Sequence, residues 1–340
     1  LSLRNSIRRF GWIGSEVIPI AMDFADSVDC NGRASGIADW IYETLITMRR
    51  RHLPLQMPFP IKTIRAIAMI AFIHIEKTAG NTVTSILRRS FGPLHCDARI
   101  WRKQPTTKTK WFGKYDLECT RWIYWKLKSI AGHLVMPGSN LLEADPNVWF
   151  FAFLRDPIER CASHYQFQVQ KMGVKTPFEE WIETPGFRNV QTQRLAGEVN
   201  VDQAIKVLDE RVGFVGLVEE FDESLVMLRN ACPLNGLDIR YSPTNVAENS
   251  QIKHRLLLNP KTRQLLEDAN ESDLSLYDYV KNDVFPQQKE EYGSDLIPDV
   301  RIFRSKNSPA IAVGRRFSGA MLRHAIYRPL VRFCSGSWWY

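Results

Sequence analysis

"AFIHIEKTAGNTVTSIL", residues 71–87, passes from an apolar run through Lys-Thr-Ala-Gly into a segment of helical spacing. Its reading decides the fold. The apolar run starts earlier, as "AIAMIAFIHI" at 66–75. Its unbroken character predicts a central parallel strand covered on both faces, and about ten residues are too few to cross a bilayer. After the turn, Val83, Ile86, Leu87 and Phe91 form one helical stripe, and Gly92-Pro93 ends it. A strand, a small-residue turn and a helix place backbone N–H groups and a positive dipole end together, a common way of holding a phosphate. The lysine precedes the glycine, however, and the nucleotide-binding order GxxxxGK[ST] is absent.

A second unit repeats the plan. "VWFFAFLRDPIERCASHYQFQ" (148–168) runs from a buried strand at 148–154 into a helix with a well-marked start. Asp156 suits the N-cap, Pro157 the first helical position, and Glu159 completes a D-x-x-E capping box. Ile158, Cys161, Ala162, Tyr165 and Val169 are its expected inward face. A third apolar run, "VGFVGLV" (212–218), precedes a predicted helix at 220–231, and 271–285 also reads as helix. Strands alternating with helices predict an α/β domain with a central, mainly parallel sheet flanked by helices.

Outside that rhythm lie two flanks. Residues 1–64 form an expected N-terminal helical extension and linker, with a helix at 36–50 and a Pro-spaced segment at 53–60. Residues 65–292 form the main domain, and 293–340 a basic tail. The net charge of +8 matches this division: the main domain holds 29 basic and 29 acidic side chains, the tail 8 and 2. The excess therefore speaks of the tail's partners, not of the central ligand. "GRRFSGAMLRHAIYRPLVRF" suits either a basic amphipathic helix at a membrane surface or a solvated, domain-packing tail. The six cysteines show no CxxC and no close His pairing, so neither a metal site nor a disulfide framework is expected. Reduced thiols, and no evident signal peptide or transmembrane run, fit a cytoplasmic, membrane-peripheral protein; the chain begins with Leu, which leaves room for an upstream piece.

Several residues carry candidate chemistry. Lys77 offers a full charge beside Thr78, Ala79, Gly80, Asn81 and Thr82, whose amides and hydroxyls suit a phosphate or sulfonate oxygen. Taken alone, the loop is better explained as an ordinary βα turn with an exposed lysine. Arg155, at the end of the next core strand, with Ser163 two turns along the helix, changes the balance. In an open α/β sheet ligands sit beyond the carboxyl ends of the strands, and two such ends with Lys and Arg imply two anionic groups on one ligand. Between the two units, residues 98–129 interleave nine Lys or Arg with seven aromatics. That pattern suits an insertion docked on the body, a sugar-stacking surface or, least, nucleic acid.

"FIHIEKTAGNTV", "FAFLRDPIERCASHYQF" and "FVGLVEEFDESLVMLRN", in that order, resemble the successive signatures of PAPS-dependent sulfotransferases, and most resemble the carbohydrate O-sulfotransferases that include the uronyl and heparan sulfate 2-O enzymes. The resemblance spans residues 70–290 and includes a late "SDLSLYDYVKNDVF" helix. It implies a nucleotide-kinase-like sulfotransferase fold with PAPS as co-substrate and no metal. It assigns Lys77, Thr78, Ala79, Gly80, Asn81 and Thr82 to the 5′-phosphosulfate loop, and Arg155 with Ser163 to the 3′-phosphate. Glu76 departs from the Pro common before the lysine; a carboxylate beside an anion site is expected to point away or pair with a base. "IAGHLVMP" (130–137) resembles the Gly-His of the uronyl-type enzymes, which makes His133 the expected general base; the alternatives are a structural or substrate-orienting role for it, and a carboxylate as base. His74 reads as a strand residue, His164 neighbours Ser163 of the cofactor pair, and His52, His95, His254 and His324 carry no motif for the role. Lys253 and Arg255, in "NVAENSQIKHR", suit a loop over the adenosine phosphate or a solvated loop. The expected function is transfer of a sulfonate from PAPS to a hydroxyl of a polysaccharide or glycolipid. The alternatives are a non-catalytic glycan-binding protein on the same fold and a nucleotide kinase or NTPase.

Overall fold

A computed structural model describes residues 69–100, 111–124, 126–242, 250–307 and 329. The expected N-terminal extension, the 36–50 helix, the core of the basic-aromatic segment at 101–110 and the amphipathic part of the tail lie outside the described residues, residue 329 apart.

Among the described residues, five strands form one sheet: β1 (Ile70–Ile73), β2 (His95–Asp97), β3 (Ser129–Gly132), β4 (Trp149–Leu154) and β5 (Val212–Leu217). Their order is β2-β3-β1-β4-β5 and every pairing is parallel. The sheet is thus wholly parallel, and β1 lies at its centre with every residue buried. Burial on both faces is what its unbroken apolar character requires. Within the described part of the apolar run the strand covers Ile70–Ile73, and the chain turns out of the sheet at its carboxyl end, where the Ile75 amide bonds the Ile73 carbonyl at 3.1 Å.

Helices cover the sheet. They include α1 (Gly80–Phe91), α2 (Lys114–Ile123), α3 (Pro157–Met172), α4 (Val190–Ala196), α5 (Val201–Arg211), α6 (Phe221–Ala231), α7 (Gln251–Leu258), α8 (Pro260–Ala269) and α9 (Glu271–Tyr279). In α1, Val83, Ile86, Leu87 and Phe91 are buried, as the stripe predicts. The start of α3 also matches expectation: the Asp156 carboxylate accepts from the Glu159 amide at 2.9 Å, with Pro157 next. Ile158, Cys161 and Ala162 join a second core with Phe178, Trp181 and Leu266, and Tyr165 packs at its edge. Val169 is only half-buried, whereas Arg160, His164 and Gln166 are buried, because α3 is enclosed on more sides than an amphipathic stripe anticipates.

The predicted helix at 271–285 extends further. After α9 the backbone widens into a π-type turn over Val280–Val284 and continues helically through Phe285–Tyr292. Pro286 accounts for this: it has no N–H to donate and its ring would clash with a carbonyl one α-turn back. Within the basic-aromatic segment, Phe112 and Tyr124 dock into the core while Trp122 on α2 remains 76% exposed. None of the described helices is long and apolar enough to cross a membrane.

The strand order positions the site. From β1 the chain goes to the β2 edge, returns through β3, then crosses to β4 on β1's other side. The connection after β1 runs to one side and that after β4 to the other, opening a crevice between their carboxyl ends. Ile73 pairs in register with Gly132 of β3 and Ala152 of β4, so the carboxyl ends of all three strands open onto that crevice.

Candidate active site

The β1–α1 turn is built at a conformational cost. Lys77 and Ala79 have φ of 68° and 59°, left-handed values that a side chain disfavours by about 1–2 kcal/mol each. Thr78, fully buried between them, donates its hydroxyl to the Ile75 carbonyl at 3.1 Å and ties the turn to the strand end. That hydroxyl is committed to the loop, so Thr78 offers a ligand its backbone rather than the side-chain donor expected from the sequence. No side chain caps α1 and its first turn holds no acid, leaving a helix start suited to an anion. Asn81 lies exposed there and Thr82 is buried. Gly80 has a separate constraint: a Cβ on it would fall 1.9 Å from Cδ2 of His74. The missing side chain makes room for an imidazole.

On one side of the turn, β4 delivers Arg155. Its Nη1 reaches the Lys77 carbonyl at 3.4 Å and its Nη2 the Glu159 carboxylate at 3.2 Å. Lys77 extends its ammonium over the Phe167 ring, 4.6 Å from the centroid, and has no carboxylate partner among the described residues. Burial, then the nearby Arg155 charge, hold the lysine pKa below its usual value. Two cations thus share the crevice, and no described carboxylate neutralises Lys77. Lys253, from α7, pairs with the same Glu159 oxygen that Arg155 approaches, and Ser163 lies one turn beyond Glu159 on α3. Arg155 and Lys253 therefore meet at Glu159, with Ser163 one helical turn further on, while Arg255 is exposed.

On the other side, β3 delivers His133. Its Nδ1 lies 2.7 Å from the His74 carbonyl oxygen and 3.6 Å from Oε1 of Glu76. A carbonyl only accepts, so Nδ1 carries the proton and Nε2 is the bare nitrogen. The imidazole is 46% exposed, and Nε2 has no partner among the described residues. His74 packs against it with the rings tilted by 31° and 4.0 Å between centroids. Burial, then the His133 charge, drive the His74 pKa down to about 3, so His74 stays neutral beside the base candidate.

Glu76 also finds its explanation here. Both carboxylate oxygens bind the Arg194 guanidinium, Nε to Oε2 at 3.1 Å and Nη2 to Oε1. Burial pushes the carboxyl pKa up, but the Arg194 hydrogen bond and charge, with the nearby His133, outweigh it and keep it lowered. The carboxylate pairs with a base, as expected.

Arg194 and its helix are functional candidates that sequence reasoning missed. The Gln191 side chain of α4 clasps the Arg155 backbone at both ends, accepting from its N–H at 2.9 Å and donating to its carbonyl at 2.8 Å. Asp273 of α9 accepts from the amides of Gln191 and Thr192, at 3.0 and 2.7 Å, and fixes the start of α4. Arg160 of α3, fully buried, lies 4.0 Å from Asp273. One short helix thus steadies the Arg155 backbone and holds Glu76. Its only sequence signal is an unusual run of polar residues, "QTQR", inside a helix. Other histidines serve packing: His95 bonds Ser129 at 2.7 Å within the core, and His164 lies edge-on to Trp181 and Phe187. Burial and then the Arg160 charge lower the His164 pKa to about 4.

No protein-family model matches the chain, and no curated protein does. Among solved structures, the crystal structure of a sulfotransferase from Alicyclobacillus acidocaldarius matches at 18% identity and a TM-score of 0.32, covering 63% of this chain and 99% of that one. A likeness that distant assigns neither a residue nor an activity, which rest on the chain's own motifs and geometry.

Proposed function

We propose that this protein is a PAPS-dependent O-sulfotransferase acting on a hydroxyl of a carbohydrate, in a polysaccharide or glycolipid. The observation that carries the reading is the convergence of Lys77 and Arg155 at the carboxyl ends of adjacent parallel strands, with Lys77 lacking a carboxylate among the described residues. Two cationic points fit a ligand with two separated anionic groups. The donor set matches PAPS in kind: an uncapped helix start with Lys77 for the 5′-phosphosulfate, and Arg155, Ser163 and Lys253 for the 3′-phosphate. Glu159 bridges Arg155 and Lys253, which shows that the two cations are close enough to share one anionic group.

PAPS supplies, when bound, a sulfonate on a phosphate leaving group. The chain's residues do the rest. His133 Nε2 accepts the proton of the attacking hydroxyl, and its Nδ1–H stays on the His74 carbonyl, which keeps the basic nitrogen bare. General base action of this kind is worth about 10²–10⁴ in rate. Lys77 and the α1 amides stabilise the negative charge that grows on the leaving oxygen.

Calorimetry separates the readings. Tight binding of PAP, the desulfated cofactor, without metal supports the sulfotransferase. Binding of ATP only with magnesium supports a kinase or NTPase, and absence of nucleotide binding supports a glycan-binding protein. Labelled PAPS incubated with cell-envelope extracts identifies the acceptor.

A further inference from the structure

Glu76 occupies the position where the resemblance has Pro, so no inherited role explains it. Its carboxylate is held between two groups on different elements: Arg194 of α4 binds both oxygens, and Oε1 faces His133 Nδ1 at 3.6 Å. Because Nδ1 already carries a proton toward the His74 carbonyl, any proton that His133 gains goes to Nε2. The carboxylate that faces the imidazolium so formed is Glu76.

We propose that Glu76, clamped by Arg194 beside the ring that the His74 carbonyl orients, is a positioning residue for His133: its carboxylate faces the imidazolium formed when Nε2 takes a proton, and so bears on the pH at which transfer begins. The inference rests on the sulfotransfer reading of the site. Glu76 is poorly placed to be the base itself, since both its oxygens are engaged by a guanidinium. The groups facing this cluster are His74 at the end of β1, Glu76 in the loop, Arg194 on α4 and His164 on α3, with Arg88, Lys77 and Arg160 acting on the same histidines. His74 and His164 are neutral in the working range, so Glu76 supplies the negative charge of this group. Arg194, bound to both oxygens of that carboxylate, offsets part of its charge.

Removing one partner or the other is therefore expected to act on His133 in opposite directions, a readout that loss of packing alone would not give. The test is an NMR titration of the His133 imidazole in the full chain, assigned with His133→Asn, alongside the pH profile of kcat/KM with PAPS. In Glu76→Gln both the midpoint and the acid limb are expected to move down by about one pH unit, with the alkaline plateau falling several-fold as the base weakens. In Arg194→Gln both are expected to move up, by about half a unit or more. Should Glu76→Gln not fold, Glu76→Asp carries the test with a smaller downward step. Midpoints that stay fixed, or that move in the same direction in both variants, overturn the inference. Opposite movements in the titration with no transfer from PAPS uphold the tuning and overturn the sulfotransferase reading instead; transfer with unmoved midpoints does the reverse.

Discussion

Replacing Lys77 by Met separates a ligand-binding role from a structural one. Met keeps an apolar stem for the Phe167 face and adopts the same left-handed backbone, φ 68°, so packing and strain are held nearly constant. Only the charge is lost. In the folded chain the lysine pKa lies below its usual value, through burial and then Arg155. The unfolded chain therefore binds the proton more readily, and stability rises with pH from the folded pKa up to the unfolded one. At neutral pH the protonated lysine is a net cost to folding, and Lys77→Met is expected to leave Tm unchanged or raise it. Its alkaline gain in stability should disappear. Binding should change the other way. A hydrogen bond to a charged group contributes about 1.5–3 kcal/mol, so PAP affinity is expected to fall about 10–150-fold. Calorimetry at pH 7 and thermal melts across neutral and alkaline pH read both quantities on one preparation. A lowered Tm with undiminished PAP affinity would contradict a ligand-binding role and reduce the loop to a structural turn.

Three further expectations rest on the same geometry. His133→Ala should reduce kcat by about 10²–10⁴ while leaving PAP affinity close to the parent; full activity would remove His133 as the base. Gly80→Ala should place a methyl 1.9 Å from the His74 ring, at a cost of about 1–3 kcal/mol that thermal melting reads as a lower Tm. Asp97 tests pH dependence in the fold: burial raises its pKa, but the His95 hydrogen bond and charge, then Arg88, outweigh this and hold it far below the usual carboxylate value. The stability it contributes is present above the unfolded pKa near 4 and is lost as pH falls toward the folded one. Asp97→Asn should flatten that acid limb in urea melts, and an unchanged limb would show that other carboxylates dominate it.

Much of the architecture was legible because its causes are local. The strands at 148–154 and 212–218, the α1 stripe and the Asp156-Pro157 start of α3 all depend on neighbours within a few residues, and all stand where expected. Where local rules competed, reading along the chain fell short. Pro286 did not end the late helix, since a π-type turn absorbed it. The polar residues of α3 did not all face water, because a second core encloses that helix. Thr78 read as a ligand donor, but its hydroxyl serves the turn.

For the site the division is sharper. Lys77 and Arg155 could be nominated from residue type and from position at strand ends, since a parallel sheet brings those ends to one edge whatever lies between them. His133 was nominated by the resemblance of its Gly-His, and the strand before it was not anticipated. Their partners could not. Glu76 meets Arg194 across 118 positions and Lys253 meets Glu159 across 94. Gln191 reaches the Arg155 backbone only because Asp273 anchors its helix from 82 positions away. No local period or cap encodes such meetings. They arise when burial of the apolar faces sets the helices against the sheet, and the polar groups left in the crevice then settle which of them pair.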